Sequence, residues 1–394
     1  MVPLNYVVLR MDFSDIIGQK HLVAHLTTTL GAGRVPHAQL FVGNSGSGLL
    51  PMAIAYASAL LCKNHAAGSQ AQLLCAQKVA NLAHPDLHFV YPVNNNEKIK
   101  KHAVSSMFLE EWRQFVAAYP YGSLFQWLQQ LGIENKQGAI NVDEAGEMVK
   151  TLSLKAYEGG YKVMIVWMAD KMNTACANKI LKLVEEPPNN TVLLLLTENE
   201  EQLIGTIRSR CQTLHFPKLS EVDVAHYVTS HMGVDANKAQ LVAHRSEGDI
   251  NKALRLLGQD VDAGQFETWF VSWGRTAFQA KGNKKAIHAL LNWSEELAGV
   301  GRETQKKFLV YCIEMFRQAV LKNYKADALV FFESVDGRFS LKKFAPFVHQ
   351  NNIFEITEAL EAATYHIERN GNAKLIFSDL SIQLTRLIHR KEAV

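Results

Sequence analysis

An apolar run, Ala38–Val42, leads straight into Gly43-Asn44-Ser45-Gly46-Ser47-Gly48-Leu49-Leu50, and Pro51–Leu61 then reads as a helix. Strand, glycine turn and helix in succession is the setting in which backbone N–H groups and a helix N-terminus cradle a phosphate. Gly43 and Gly48 stand where the pattern G-x-x-x-x-G-K-[ST] puts its glycines, with Gly46 between them. Leu49 takes the place of the lysine that would grip the β- and γ-phosphates, and Leu50 that of the hydroxyl that would hold Mg²⁺. Losing the lysine removes a charge-assisted contact of roughly 1.5–3 kcal/mol and a cation that would offset transferring charge. The chain therefore reads as a nucleotide-hydrolase frame without hydrolysis of its own. Stripped of its context, the same loop is an ordinary strand–helix turn.

The alternation continues beyond the loop. Leu87–Tyr91, Tyr161–Trp167, Thr191–Thr197 and Thr213–Phe216 are further strand candidates, and the β-branched and leucine-rich third of these suits a central parallel strand. Residues 14–32 and Ile140–Leu154 have helical spacing, and Asn173–Glu186 reads as a helix ended by Pro187-Pro188. Residues 94–138 break the alternation and read as an insertion whose aromatics, Phe108, Trp112, Phe115 and Trp127, form local core. From Pro217 the pattern becomes helical. The predicted organisation is an α/β domain over 1–216, with a parallel sheet and flanking helices. A helical lid over 217–262 and an all-α domain over 263–394 follow.

A chain of 394 residues can bury a large core without a metal or disulfide staple. The net charge of +3 is too small to mark a nucleic-acid binder, and the basic pairs are scattered. Five cysteines, an odd number, fit a reducing compartment. No apolar run approaches the ~20 residues of a membrane span, and a cytoplasmic protein is expected.

Two further stretches carry chemistry. Tyr161–Asp170 is shaped like a strand that ends in the Asp-Glu pair of a hydrolase, but Trp167 and Met168 occupy the acid positions. Asp170, two residues beyond, is expected to support the next turn rather than to bind metal. Thr206-Ile207-Arg208-Ser209-Arg210-Cys211 is a polar turn before a short strand, and read alone its arginines would simply pair with a neighbour.

Together these residues resemble the clamp-loader AAA+ family. Phe13–Gln19 is similar to the family's lead into the first helix, and Pro36–Phe41 to its lead into the phosphate loop. His84-Pro85-Asp86, Lys179–Pro188 and Ser209-Arg210-Cys211 match further family segments, and the resemblance runs from about residue 11 to 260. It implies an AAA+ P-loop domain, a lid and a collar domain for ring assembly. It also implies membership of a hetero-pentameric ring of motor subunits and a delta subunit, which places a sliding clamp on primed DNA. Arg210 matches the arginine that reaches a neighbour's ATP, an arginine finger supplied in trans. ATP and Mg²⁺ are then expected on the neighbouring subunit, with no cofactor in the loop at Gly43, Gly46, Gly48, Leu49 and Leu50.

The chain also departs from the family. Where many members carry four zinc-binding cysteines, only Cys62 aligns and Cys75 is one residue off; zinc is not expected, and Cys62 and Cys75 are its weak candidates. Asn251 stands where active members place a lid arginine on their own nucleotide. The alternative reading is an ATP-hydrolysing clamp-loader motor or another AAA+ DNA-repair ATPase. The three losses, at Leu49-Leu50, Trp167-Met168 and Asn251, oppose it.

Overall fold

The computed structural model describes residues 12–390 apart from 98, 134–135, 260–262, 331, 333, 335–336 and 338. The chain divides into two compact units, one formed by residues up to 133 together with 138–259, the other by 134–137 together with 260 onward.

The first unit is built on a five-stranded parallel sheet. Its strands are β1 (Ala38–Gly43), β2 (Leu87–Val90), β3 (Lys162–Val166), β4 (Thr191–Thr197) and β5 (Gln212–Phe216), in the spatial order β2-β3-β4-β1-β5. β3 and β4 are buried along their whole length, which explains why both read as near-continuous apolar runs. The helices flanking the sheet are α1 (Lys20–Gly31), α2 (Leu49–Leu61), α3 (Gln70–Ala80), α4 (Leu109–Ala118), α5 (Leu124–Gln130), α6 (Val142–Ser153), α7 (Thr174–Lys179), α8 (Leu181–Glu185) and α9 (Gly205–Arg208). This is the α/β architecture of an AAA+ domain.

Each sheet face has its own core. On one, α2 and the insertion pack together: Leu49, Leu50, Trp112, Phe115, Trp127, Trp167 and Met168 share a single apolar cluster. The opposite face is covered by α6, α7 and α8 through residues such as Met148, Cys176 and Val184. The expected helix over Asn173–Glu186 is two short ones, broken at Ile180. Three more helices follow the sheet: α10 (Glu221–Met232), α11 (Ala236–Ser246) and α12 (Ile250–Leu254). They have a small core of their own around Val224, Val228, Val242 and Ile250. Ser220, Asp235 and Asp249 cap them, each accepting from backbone N–H groups of the first turn.

The second unit is helical: α13 (Ala263–Gln279), α14 (Lys284–Gly299), α15 (Arg302–Asn323), α16 (Leu341–Phe344), α17 (Ile353–Glu368) and α18 (Ala373–Leu387). Its centre is aromatic. Trp273 and Trp293 stack with centroids 5.0 Å apart, and Trp273 Nε1 donates to Ser381 Oγ at 2.9 Å. Among the described residues no helix is long and apolar enough to cross a membrane.

The stretch after α2 corrects the sequence reading. What read as a metal-free loop is α3, capped by Ser69, and Cys62 and Cys75 are joined in a disulfide with Cα atoms 5.8 Å apart. Both sulfurs are thus committed to each other, so the two weak zinc candidates are not available as thiolate ligands. The pairing also removes the argument that drew a reducing compartment from an odd cysteine count: Cys176, Cys211 and Cys312 are the free cysteines.

Candidate functional site

The glycine loop joins β1 to α2. Gly46 and Gly48 adopt positive φ, +70° and +96°, so that the chain turns sharply into the helix without a side-chain penalty. Gln19 Nε2 ties the loop down by donating to the carbonyls of Ser47 at 3.1 Å and Pro217 at 2.7 Å. Leu49 and Leu50 open α2, 8% and 3% exposed. Their side chains belong to the core instead of facing a ligand. Pro51, at the third helical position, removes one of the N–H groups that a helix start leaves unbonded.

The two acid positions at the end of β3 hold Trp167 and Met168, 3% and 5% exposed. Trp167 lies 5.2 Å from Trp112 and 5.7 Å from Phe115, centroid to centroid, at favourable aromatic separations. Asp170 supports the turn that follows: it accepts from Thr197 Oγ1 at 2.9 Å and pairs with Lys171 at 2.7 Å. The carboxylate is spent within the chain, which agrees with the expected structural role.

Two groups absent from the sequence reading stand over the loop. A Cβ built on Gly48 would lie 3.2 Å from Tyr121 Cε1, and one built on Gly46 only 2.0 Å from Asp249 Oδ1. Tyr121 comes from the insertion, and its hydroxyl accepts from Ile17 N–H at 3.1 Å. Asp249 is the cap of α12; burial raises its pKa, while its bonds to the N–H groups of Asn251 and Lys252 act the other way. Asn251, expected where a lid arginine would meet nucleotide, donates through Nδ2 to the Tyr121 carbonyl. Between the loop, Tyr121, Trp167, Met168 and Thr197 the remaining cavity is about 20 Å³, room for about one water. A nucleoside triphosphate does not fit this arrangement. The cation and hydroxyl of the pattern are missing, the space is largely filled by protein, and the carboxyl that lines what remains of it, Glu198, would repel a polyanion. A Pro-Tyr-Gly turn is legible in the sequence, but its docking onto the loop is not.

Arg210 stands elsewhere. β5 runs parallel to β1 in the register Gln39↔Gln212 to Gly43↔Phe216, so Arg210 precedes the start of β5 whereas the loop follows the end of β1. Four steps of ~3.3 Å put the two at least ~13 Å apart along the strands, beyond an arginine's reach. The guanidinium is partly exposed. It forms an ion pair with Glu185 through Nε and donates from a terminal nitrogen to the Thr206 carbonyl at 2.9 Å. The neighbour pairing anticipated for a bare arginine is thus present. An exposed pair of this kind contributes ~0–1 kcal/mol and leaves the group free to change partners.

Among the described residues no group of three or more His, Cys, Asp or Glu side chains is arranged to hold a metal ion.

Sheet order, glycine loop and capping helices define a P-loop-type AAA+ protein. The family model described as "DNA polymerase III, delta subunit" matches residues 18–220, and the chain belongs to that family. It is 26% identical over 242 residues to DNA polymerase III subunit delta' of Bacillus subtilis, covering 61% of this chain and 60% of that one. It is 29% identical over 182 residues to subunit delta' of Pseudomonas aeruginosa (46% and 43% covered) and 23% identical over 257 residues to subunit tau of Escherichia coli (64% and 33% covered). The match thus spans less than two thirds of each relative. Among solved structures, a DNA polymerase III gamma subunit-related protein from Thermotoga maritima aligns over 92% of this chain and 99% of its own at 14% identity, with a TM-score of 0.35.

Proposed function

We propose that this chain is a delta-prime-like stator of a DNA polymerase III clamp loader. It hydrolyses no ATP itself and supplies Arg210 to the ATP of an adjacent motor subunit. The observation that carries this reading is the separation of Arg210 from the chain's own glycine loop, at opposite ends of the β1–β5 pair. An arginine so placed serves a phosphate on another subunit or none. The planar fork of arginine suits a phosphate better than lysine does. A finger supplied in trans is worth ~10³–10⁵ in rate, or roughly 4–7 kcal/mol of barrier. In this reading ATP and Mg²⁺ belong to the neighbour, a delta subunit and motor subunits complete the ring, and sliding clamp and primed DNA are met through the complex. The cytoplasm is its place of work.

Reconstitution tests it. The chain is mixed with motor and delta subunits, clamp and primed DNA, and assembly is followed by mass and ATPase by phosphate release. Arg210→Ala should assemble normally and depress the clamp-dependent ATPase. Unchanged ATPase and loading would overturn the trans role.

The second reading is an ATP-hydrolysing motor subunit, favoured by the match to tau. Calorimetric titration of the isolated chain with Mg·ATP separates the two, since a motor binds tightly and turns over.

A further inference from the structure

The insertion does more than fill space beside the sheet. Phe108, Trp112, Phe115, Trp127 and Leu128 enter the α/β core together with Leu49, Leu50, Trp167 and Met168. Tyr121, between them in sequence, belongs instead to the apolar cluster of the three following helices, with Leu219, Val224, Val228 and Ile250. One short turn, Pro120-Tyr121-Gly122, therefore takes part in both cores. Its geometry is tight. Gly122 N–H donates to the Tyr119 carbonyl at 2.8 Å, and a Cβ on Gly122 would lie 2.5 Å from Phe115 Cζ.

Three segments meet on Tyr121. Ile17 N–H donates to its hydroxyl, Gly48 lies under its ring edge, and Asn251 Nδ2 donates to its carbonyl. These are the segment before α1, the glycine loop and the first turn of α12. The same turn, Pro120-Tyr121-Gly122, lines what remains of the cavity at the loop. Tyr121 is 6% exposed and Asn251 7%, so the bridge is sealed from water.

We infer that the 120–122 turn is the resident occupant of the glycine-loop site, an internal ligand that fastens helices α10–α12 to the α/β core in place of a nucleotide. The three departures from a working hydrolase then share one cause. Leu49-Leu50 and Trp167-Met168 form the apolar bed on which the insertion lies, and Asn251 holds the turn at its tip. The helices α10–α12 are held without ATP, so their position does not depend on a nucleotide cycle.

Hydrogen exchange on the full isolated chain, read by mass spectrometry with and without Mg·ATP, tests this. Exchange in residues 236–254 should be the same with and without Mg·ATP. Asn251→Ala should speed exchange there by on the order of tenfold, the loss of one buried hydrogen bond. Strand 191–197 should be unaffected. Tyr121→Phe, which removes only the bond to Ile17, should have a smaller effect in the same segments. Mg·ATP-induced protection of 236–254 in the unaltered protein would overturn the inference, and so would wild-type exchange in Asn251→Ala. Neither result bears on Arg210, whose role is read from ring ATPase.

Discussion

Gly43 and Arg210 lie at opposite ends of one parallel strand pair: Gly43 is registered with Phe216, at the end of β5, and Arg210 precedes its start. The consequence is directional. Whatever Arg210 contributes to nucleotide chemistry it contributes outside its own loop. In the proposed trans role, Arg210→Ala should lower turnover at the neighbouring subunit's site by ~10³ or more. Stability of the isolated chain should move by less than ~1 kcal/mol, because the partner Glu185 is partly exposed too. Arg210→Lys, which keeps charge but loses the fork, should recover only a small part. Single-turnover ATPase in the ring and urea melts of the free subunit are the two measurements.

Leu49→Lys should not create an ATPase. The acids that would place metal and water are absent at Trp167 and Met168, and the turn at Tyr121 occupies the site. The new ammonium would be introduced into the core shared by Leu50, Trp112 and Trp167. A loss of about 3 kcal/mol is expected from burying it unpaired. Phosphate release and the urea midpoint check both halves; Mg-dependent turnover from this single change would sink the account.

The Cys62–Cys75 disulfide predicts a thiol count. In denaturant without reductant, three thiols should react (Cys176, Cys211 and Cys312), and all five after reduction. Cys75→Ser should destabilise the protein by about 3 kcal/mol, the closure of a loop of this size. Five reactive thiols before reduction would show that the pair is not formed.

Glu144 should make stability depend on pH. It is 4% exposed, and burial raises its pKa to about 7, against the bond it accepts from Ser105 N–H at 2.7 Å. A carboxyl whose folded pKa lies above its unfolded value of 4.5 takes up a proton on folding. Its contribution is therefore complete at low pH, falls as pH rises from about 4.5 to 7, and is flat beyond. Glu144→Gln keeps an acceptor for Ser105 and cannot ionise. It should match the wild type near pH 4 and exceed it by on the order of 3 kcal/mol at pH 8. Urea midpoints at the two pH values measure the difference, and equal midpoints at pH 8 would refute the burial argument.

Several elements were legible because their causes are local. The runs 38–43 and 191–197 are strands because β-branched and leucine side chains fill both faces of a covered sheet. The glycine loop was legible because only glycine takes the positive φ of residues 46 and 48 at no cost. Helix α3 was read as a metal-free loop because polar Gln70, Gln72 and Gln77 weaken its apolar stripe. The break at Ile180 was missed because helical spacing continues across it.

Residue identities alone determine that the loop lacks its lysine, the strand its acids and α12 its arginine, since a missing functional group needs no coordinates. They also determine the α/β-then-helical order through hydrophobic period. Where Tyr121 docks, which carboxyl lies against Gly46, that Arg210 pairs with Glu185 at the far end of the strand pair from the loop, and that two cysteines thirteen residues apart meet are set by packing. Each is a contact between segments distant in the chain or turned by an intervening helix. Periodicity reports which face of a segment is apolar, and only the folded chain determines which other segment covers it.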